Sequence, residues 1–177
     1  SLDCLKGIAI LLVMFGHVQV HNHMTDPYLY DVIKSIQMPL FFLVSGYLAG
    51  KGTKIQSVEQ FSVRMKKRAV AYLLPFFSWL VVQHLTYVPR ALKMVLFQLD
   101  YGLWFLMTLF LFTLLAYAAQ LIQNLWGRGK EIVFWIIWLL GCGVILAAYL
   151  AGMTFLSPSI LVIYLPYYTV AYFVGMH

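Results

Sequence analysis

The segment IVFWIIWLLGCGVILAAYLAGM, Ile132–Met153, runs for 22 residues without a charged side chain. As a helix it is about 33 Å long, enough to cross the roughly 30 Å hydrocarbon core of a bilayer. Lipid offers no partner to backbone N–H and C=O groups, so a spanning segment must be a helix or part of a closed barrel. A barrel strand shows about ten residues of alternating polarity. Here the apolar runs are unbroken, and they recur over about Leu5–Val20, Val32–Leu48, Ala69–Val88, Leu103–Ile122, Ile132–Met153 and Ile160–Met176. Lys34 and Gln37 interrupt the start of the second run, and Pro75 lies inside the third. The expectation is an all-α, polytopic transmembrane helix bundle with about six spanning helices. Composition agrees: the chain is 63% hydrophobic and 10% charged, whereas soluble domains are about 25% charged.

The net charge of +6 points to cytoplasmic loops and anionic headgroups as partners, and no basic run interleaved with polar residues suggests nucleic acid. Lys51, Lys54, Arg64, Lys66, Lys67 and Arg68 follow the second run, and Arg128 and Lys130 follow the fourth. The positive-inside rule therefore places residues 50–68 and 124–131 in the cytoplasm, with a cytoplasmic N-terminus and His21 and His23 outside. Arg90 and Lys93 run weakly against this orientation. Residues 51–68 form the one long polar connection, a basic cytoplasmic linker. Ser57 with Gln60 three positions on fits a capping box, predicting a short interfacial helix that leads into the third span. No small-residue cleavage site follows the first run, so it reads as a retained span and not a signal peptide. Both chain ends read as cut. Cys4 and Cys142 have no CxxC spacing and suggest neither a disulfide framework nor zinc.

The first run, KGIAILLVMFGH, carries Lys6 at one end and His17 at the other. Eleven residues make about three helical turns, which sets the two on one face about 16 Å apart. Ile10 and Val13 lie between them, and Asp3 is one turn before Lys6. Lys6 can be an interfacial anchor that snorkels to the headgroups. Ionisable groups within spans usually face a bundle interior or a wet cavity, so His17 is either functional or a structurally satisfied histidine. Gly7 and Gly16 flank the stripe and suit either close helix packing or clear space beside it. In the second run, MPLFFLVSGYL, Pro39 leaves a carbonyl without its helical partner. Ser45–Gly46 reads equally as a helix contact or a pocket lining.

These stretches together resemble the acyltransferase 3 family. The motifs are a basic residue, ten residues and then His in LKGIAILLVMFGH, followed by MPLFFLVSGYLAG and by LWFLMTLF around Trp104. The likeness is to the branch that O-acetylates polysaccharides, and it extends over at least Leu2–Leu109. It implies a multi-span enzyme of a bacterial cytoplasmic (inner) membrane. It also implies acetyl-CoA as acyl donor with no metal, and a cell-surface or lipid-linked glycan as acceptor, alongside membrane lipid. Relatives have about ten spans, so residues 1–177 read as a partial acyltransferase 3 transmembrane domain, truncated on the C-terminal side. The oligomeric state stays open.

By the same resemblance His17 matches the histidine of acyl transfer and Lys6 its basic partner. Ser45, Gly46 and Trp104 fall where a substrate pocket is expected. The family's Arg-x-x-Arg motif, linked to the donor, is imperfect here: Arg64-x-x-Lys67 keeps the spacing with Lys in second place, and counting from Arg68 puts Ala71 there. Arg64, Lys67 and Arg68 are the donor-binding candidates. Gln37 stands where many relatives have a histidine, and the fourth span offers no acidic residue to orient His17.

The chemistry suits these residue types. A sugar hydroxyl attacking a thioester needs a base as the bond forms, and imidazole, with an ordinary pKa of about 6.5, is suited to it. A transient acyl-His17 is the second possibility. The basic cluster is either a phosphate site or only a positive-inside signal. Other candidates read as ordinary structure. His21, His23, Asp26 and Asp31 match no strong zinc spacing and suit a solvated loop. His84 suits a core or interfacial role. Tyr164, Tyr167, Tyr168 and Tyr172, around Pro166, suit an aromatic belt. The competing class is a non-catalytic membrane protein or a transporter with a histidine proton relay, disfavoured because His17 alone is clearly intramembrane.

Overall fold

The computed structural model describes residues 2–21, 27–83, 103–126 and 130–177, together with Pro89, Lys93 and Phe97. Six helices occupy the continuous stretches: α1 (Leu2–His21), α2 (Pro27–Lys51), α3 (Val58–Gln83), α4 (Trp104–Leu125), α5 (Glu131–Leu150) and α6 (Pro158–Met176). No strand occurs among the described residues. The expected helix bundle is what forms, and each apolar run coincides with a helix over its described residues.

Four of these helices are long and apolar enough to cross a membrane: Asp31–Lys51 within α2, then α4, α5 and α6. The expectation of six spans is met in helix number, but α1 and α3 are not among those four. In α3 the cause is visible in the sequence. Its first half carries Glu59, Arg64, Lys66, Lys67 and Arg68, and only the stretch after Arg68 is apolar. The expected end of that span, 84–88, lies outside the described residues.

The chain divides into two compact units, residues 1–52 with 166–177, and residues 53–165. The division falls at Pro166, inside α6. In the first unit α1 packs on α2. The same unit brings α2 against the C-terminal half of α6, where Gly46 and Gly50 face the backbone of Tyr168 and Tyr172.

In the second unit α4 packs against both α3 and α5. Phe76 of α3 and Met107 of α4 centre an apolar cluster that takes in Leu73, Leu80, Leu103 and Trp104. On the other side Gly141 of α5 lies against Leu115, while Phe134 and Trp138 are buried with their rings stacked at 6.1 Å. Most of the remaining α5 apolar surface, including Ile132, Leu139, Leu140, Val144 and Leu150, is exposed. That is the surface a helix presents to lipid, where apolar exposure costs nothing.

The connection between α2 and α3 is short. Lys51 closes α2, residues 52–57 are not helical, and α3 starts at Val58 and runs unbroken to Gln83. The expected interfacial helix is thus the beginning of α3 itself. Ser57 Oγ accepts from the Gln60 amide at 3.2 Å, as the capping box requires. The Gln60 side chain reaches one residue further back than the motif predicts, accepting from the Gln56 amide at 3.1 Å.

Candidate functional site

Lys6 and His17 both lie in the continuous helix α1; their side chains fall outside the described part of the structure. The helix around them has two distinct sides. Ala9 is fully buried and Leu12 and Val13 are partly covered, while Ile8, Ile10, Leu11, Met14, Phe15 and Val18 are exposed. At 100° per residue, positions 6 and 17 fall between Val13 and Ile10, along the border of the covered side.

Ser45 is half-buried and Gly46 buried in α2. A β-carbon on Gly46 would strike the Tyr168 carbonyl, one on Gly50 the Tyr172 carbonyl, and one on Gly175 of α6 the Tyr47 carbonyl. These are reciprocal close approaches of two helix backbones through a small-x-x-x-small pattern, GYLAG. Of the two readings of Gly46, this geometry supports packing. Gly50 carried the signal for it four residues on. Gln37, on the same helix, is buried to 9% exposure, and its Oε1 has no hydrogen-bond partner among the described residues.

The basic candidates belong to the second unit, and their surroundings differ. Lys66 and Lys67 are exposed. Arg64 is half-buried and donates from Nη1 to the Thr53 carbonyl. Arg68 is half-buried at the seam of α3 and α4. Its Nε donates to the Tyr117 hydroxyl at 3.4 Å and its Nη1 to the Tyr72 hydroxyl at 3.3 Å. The guanidinium carbon also lies 5.9 Å from the Tyr72 ring centroid, within cation–π range.

The α4 side of the seam is a column of polar residues on a mostly apolar helix: Thr113, Tyr117, Gln120 and Asn124. Spacings of four, three and four keep them on one face. Thr113, Tyr117 and Gln120 are buried. Gln120 Oε1 accepts from the Ile55 amide at 3.0 Å, and Asn124 Nδ2 donates to the Ile55 carbonyl. Ile55 itself is fully buried. Residues 53–57 are therefore strapped onto the end of α4 through Ile55, whose backbone N–H and C=O are both satisfied by its amides. The sequence reading missed Tyr72, Tyr117, Gln120 and Asn124. The 4-3-4 polar spacing within α4 was the signal that could have found them.

Trp104 lies at the other end of α4, thirteen residues or about 20 Å from Tyr117 along the axis. Its ring meets Tyr164 at 5.2 Å. The structure therefore does not bring Trp104 to the basic seam. Among the described residues no group of three or more His, Cys, Asp or Glu side chains comes together. His23, Asp26 and His84 lie outside the described residues, and Asp31 is exposed.

Apolar helices of spanning length, one of which (α4) meets α3 along a cationic seam, define a helical membrane protein. The model of the acyltransferase 3 family, described as an acyltransferase domain, matches residues 1–177, and the chain belongs to that family. It is also similar to the nodulation protein NolL of Sinorhizobium fredii, with 36% identity over 86 residues. That stretch is 45% of this chain and 22% of NolL. No solved structure matches the chain.

Proposed function

We propose that the intact protein is an integral-membrane O-acyltransferase that moves an acetyl group from cytoplasmic acetyl-CoA to a hydroxyl of a cell-surface or lipid-linked glycan. In this reading the His17 imidazole takes the proton as the acceptor oxygen attacks the thioester carbonyl. The carbon–sulfur bond breaks and the proton passes to the leaving thiolate, giving the acetyl ester and free CoA thiol. Lys6 marks the donor end of the same helix, nearer the cytoplasmic face that the positive-inside rule assigns to it. Arg68, from the cluster that also holds Arg64 and Lys67, supplies positive charge for the donor's phosphates.

The observation that supports this reading most is the family match over the whole of residues 1–177, combined with an unbroken α1 that keeps positions 6 and 17 in line. The test is His17→Ala in the intact protein, using membranes incubated with acetyl-labelled acetyl-CoA and counting label in the glycan fraction. Transfer should be lost while the protein still inserts and accumulates. Label incorporation close to that of the unaltered protein would remove His17 from the mechanism.

A further inference from the structure

Three cations of the cluster were equivalent candidates in the sequence, and the structure separates them. Lys67 is exposed. Arg64 is engaged with the Thr53 carbonyl, so it helps fasten the 53–57 strap. Arg68 points into the seam between α3 and α4 and meets two phenol hydroxyls. We propose that Tyr72 and Tyr117 are positioning residues that hold the Arg68 guanidinium toward a phosphate of the acyl donor, while Arg64 serves the strap. This rests on reading the protein as a CoA-dependent acyltransferase.

The chemistry favours such an arrangement. A hydroxyl accepts from a guanidinium without neutralising it, so the two phenol contacts orient Arg68 and leave its charge in place. Each phenol oxygen also retains its own proton and can donate to a phosphate oxygen in turn. Tyr72 is one turn after Arg68 on the same face of α3, and its ring sits beside the guanidinium. Tyr117 is buried on α4 and approaches from the other helix. Held from two helices, the flexible arginine loses less rotamer freedom on binding than an unrestrained one would. Positioning Arg68 ten residues into α3, about 15 Å from its start, also sets it deeper than Lys66, Lys67 and the strap.

The test uses two donors, acetyl-CoA and S-acetyl-pantetheine, which keeps the thioester arm but has no phosphate. In the intact protein, Tyr117→Phe and Tyr72→Phe should each raise the KM for acetyl-CoA about three- to tenfold, the worth of one hydrogen bond. Neither should change kcat, and the KM for S-acetyl-pantetheine should stay put. Arg68→Ala should show the same donor selectivity with a larger rise. Arg64→Ala should shift both donors alike. Calorimetric binding of CoA to the detergent-solubilised protein gives the same ranking without turnover, and Arg68→Lys covers the case in which a phenylalanine variant does not fold. If Arg68→Ala raises the acetyl-CoA KM and both phenylalanine variants leave it unchanged, the positioning proposal fails and the enzymatic reading stands. A rise that is equal for both donors marks a merely structural role and also overturns it. An unaltered protein that transfers acetyl from neither donor overturns the enzymatic reading itself.

Discussion

Gly46 of α2 lies so close to Tyr168 of α6 that a β-carbon on it would strike the Tyr168 carbonyl and come within 3.1 Å of the Tyr168 Cα. The obstacle is backbone, which cannot swing aside as a side-chain tip can. Gly46→Ala must therefore push two helices apart, and overpacking of this kind costs roughly 1–3 kcal/mol. Gly143 of α5 is the control, since nothing lies within 4 Å of a β-carbon built there. Thermal unfolding in detergent should show a clear loss for Gly46→Ala and none for Gly143→Ala. Equal behaviour of the two variants would rule out the close approach.

Particular residues show how far the sequence reached. The bundle was legible because lipid leaves the backbone few options, and a long apolar run is a local signal. The start of α3 was legible at Ser57 because a capping box lies within four residues. Gly46 was half legible: the small residue was noticed, but Gly50 was needed to distinguish packing from a pocket. The docking of Ile55 on Gln120 was not legible, because the two are separated by 65 positions and a long-range hydrogen bond leaves no local pattern. The exclusion of Trp104 from the basic seam has the same origin. The resemblance set it in a substrate pocket and the cations at the donor site, and the antiparallel pairing of α3 and α4 carries it to the end opposite the cations.

The proposed orientation is open to chemical labelling. Cys4, near the start of α1, is exposed, whereas Cys142 is partly covered within α5. With the N-terminus in the cytoplasm, a membrane-impermeant maleimide should modify Cys4 in inverted vesicles and leave it untouched in intact spheroplasts. Cys142→Ser provides the single-cysteine background. Labelling of Cys4 from the outer face would reverse the assigned topology, and with it the side from which the donor approaches.

Gln37 has an unusual place for an amide, buried in α2 with its Oε1 without a partner among the described residues. Removing an unsatisfied buried acceptor in favour of an apolar group of similar size is nearly neutral or stabilising. Gln37→Leu should therefore shift the unfolding free energy by less than about 1 kcal/mol, and toward greater stability. A loss well beyond that range, read from denaturation in detergent, would mean that the amide has a structural partner after all.

Gln120 is the opposite case, and the contrast between two buried glutamines isolates what a hydrogen bond contributes here. Gln120 Oε1 receives the Ile55 amide at 3.0 Å. Gln120→Leu deletes that acceptor but leaves the Ile55 N–H buried, so the cost is the desolvation of an orphaned donor, about 1–3 kcal/mol. The strap should respond before the bundle does. Asn124 still takes the Ile55 carbonyl, so one of the two fastenings to α4 remains, and Gln120→Leu combined with Asn124→Leu should remove both, leaving the Arg64 contact with the Thr53 carbonyl. Lys51 precedes the strap and Lys54 lies within it, and both are exposed, which makes trypsin a direct probe. Cleavage after Lys54 should be faster in Gln120→Leu than in the unaltered protein, and faster again in the double variant, with α4 and α5 still protected. Unchanged cleavage rates at Lys54 in both variants would show that the 53–57 segment is not held by α4.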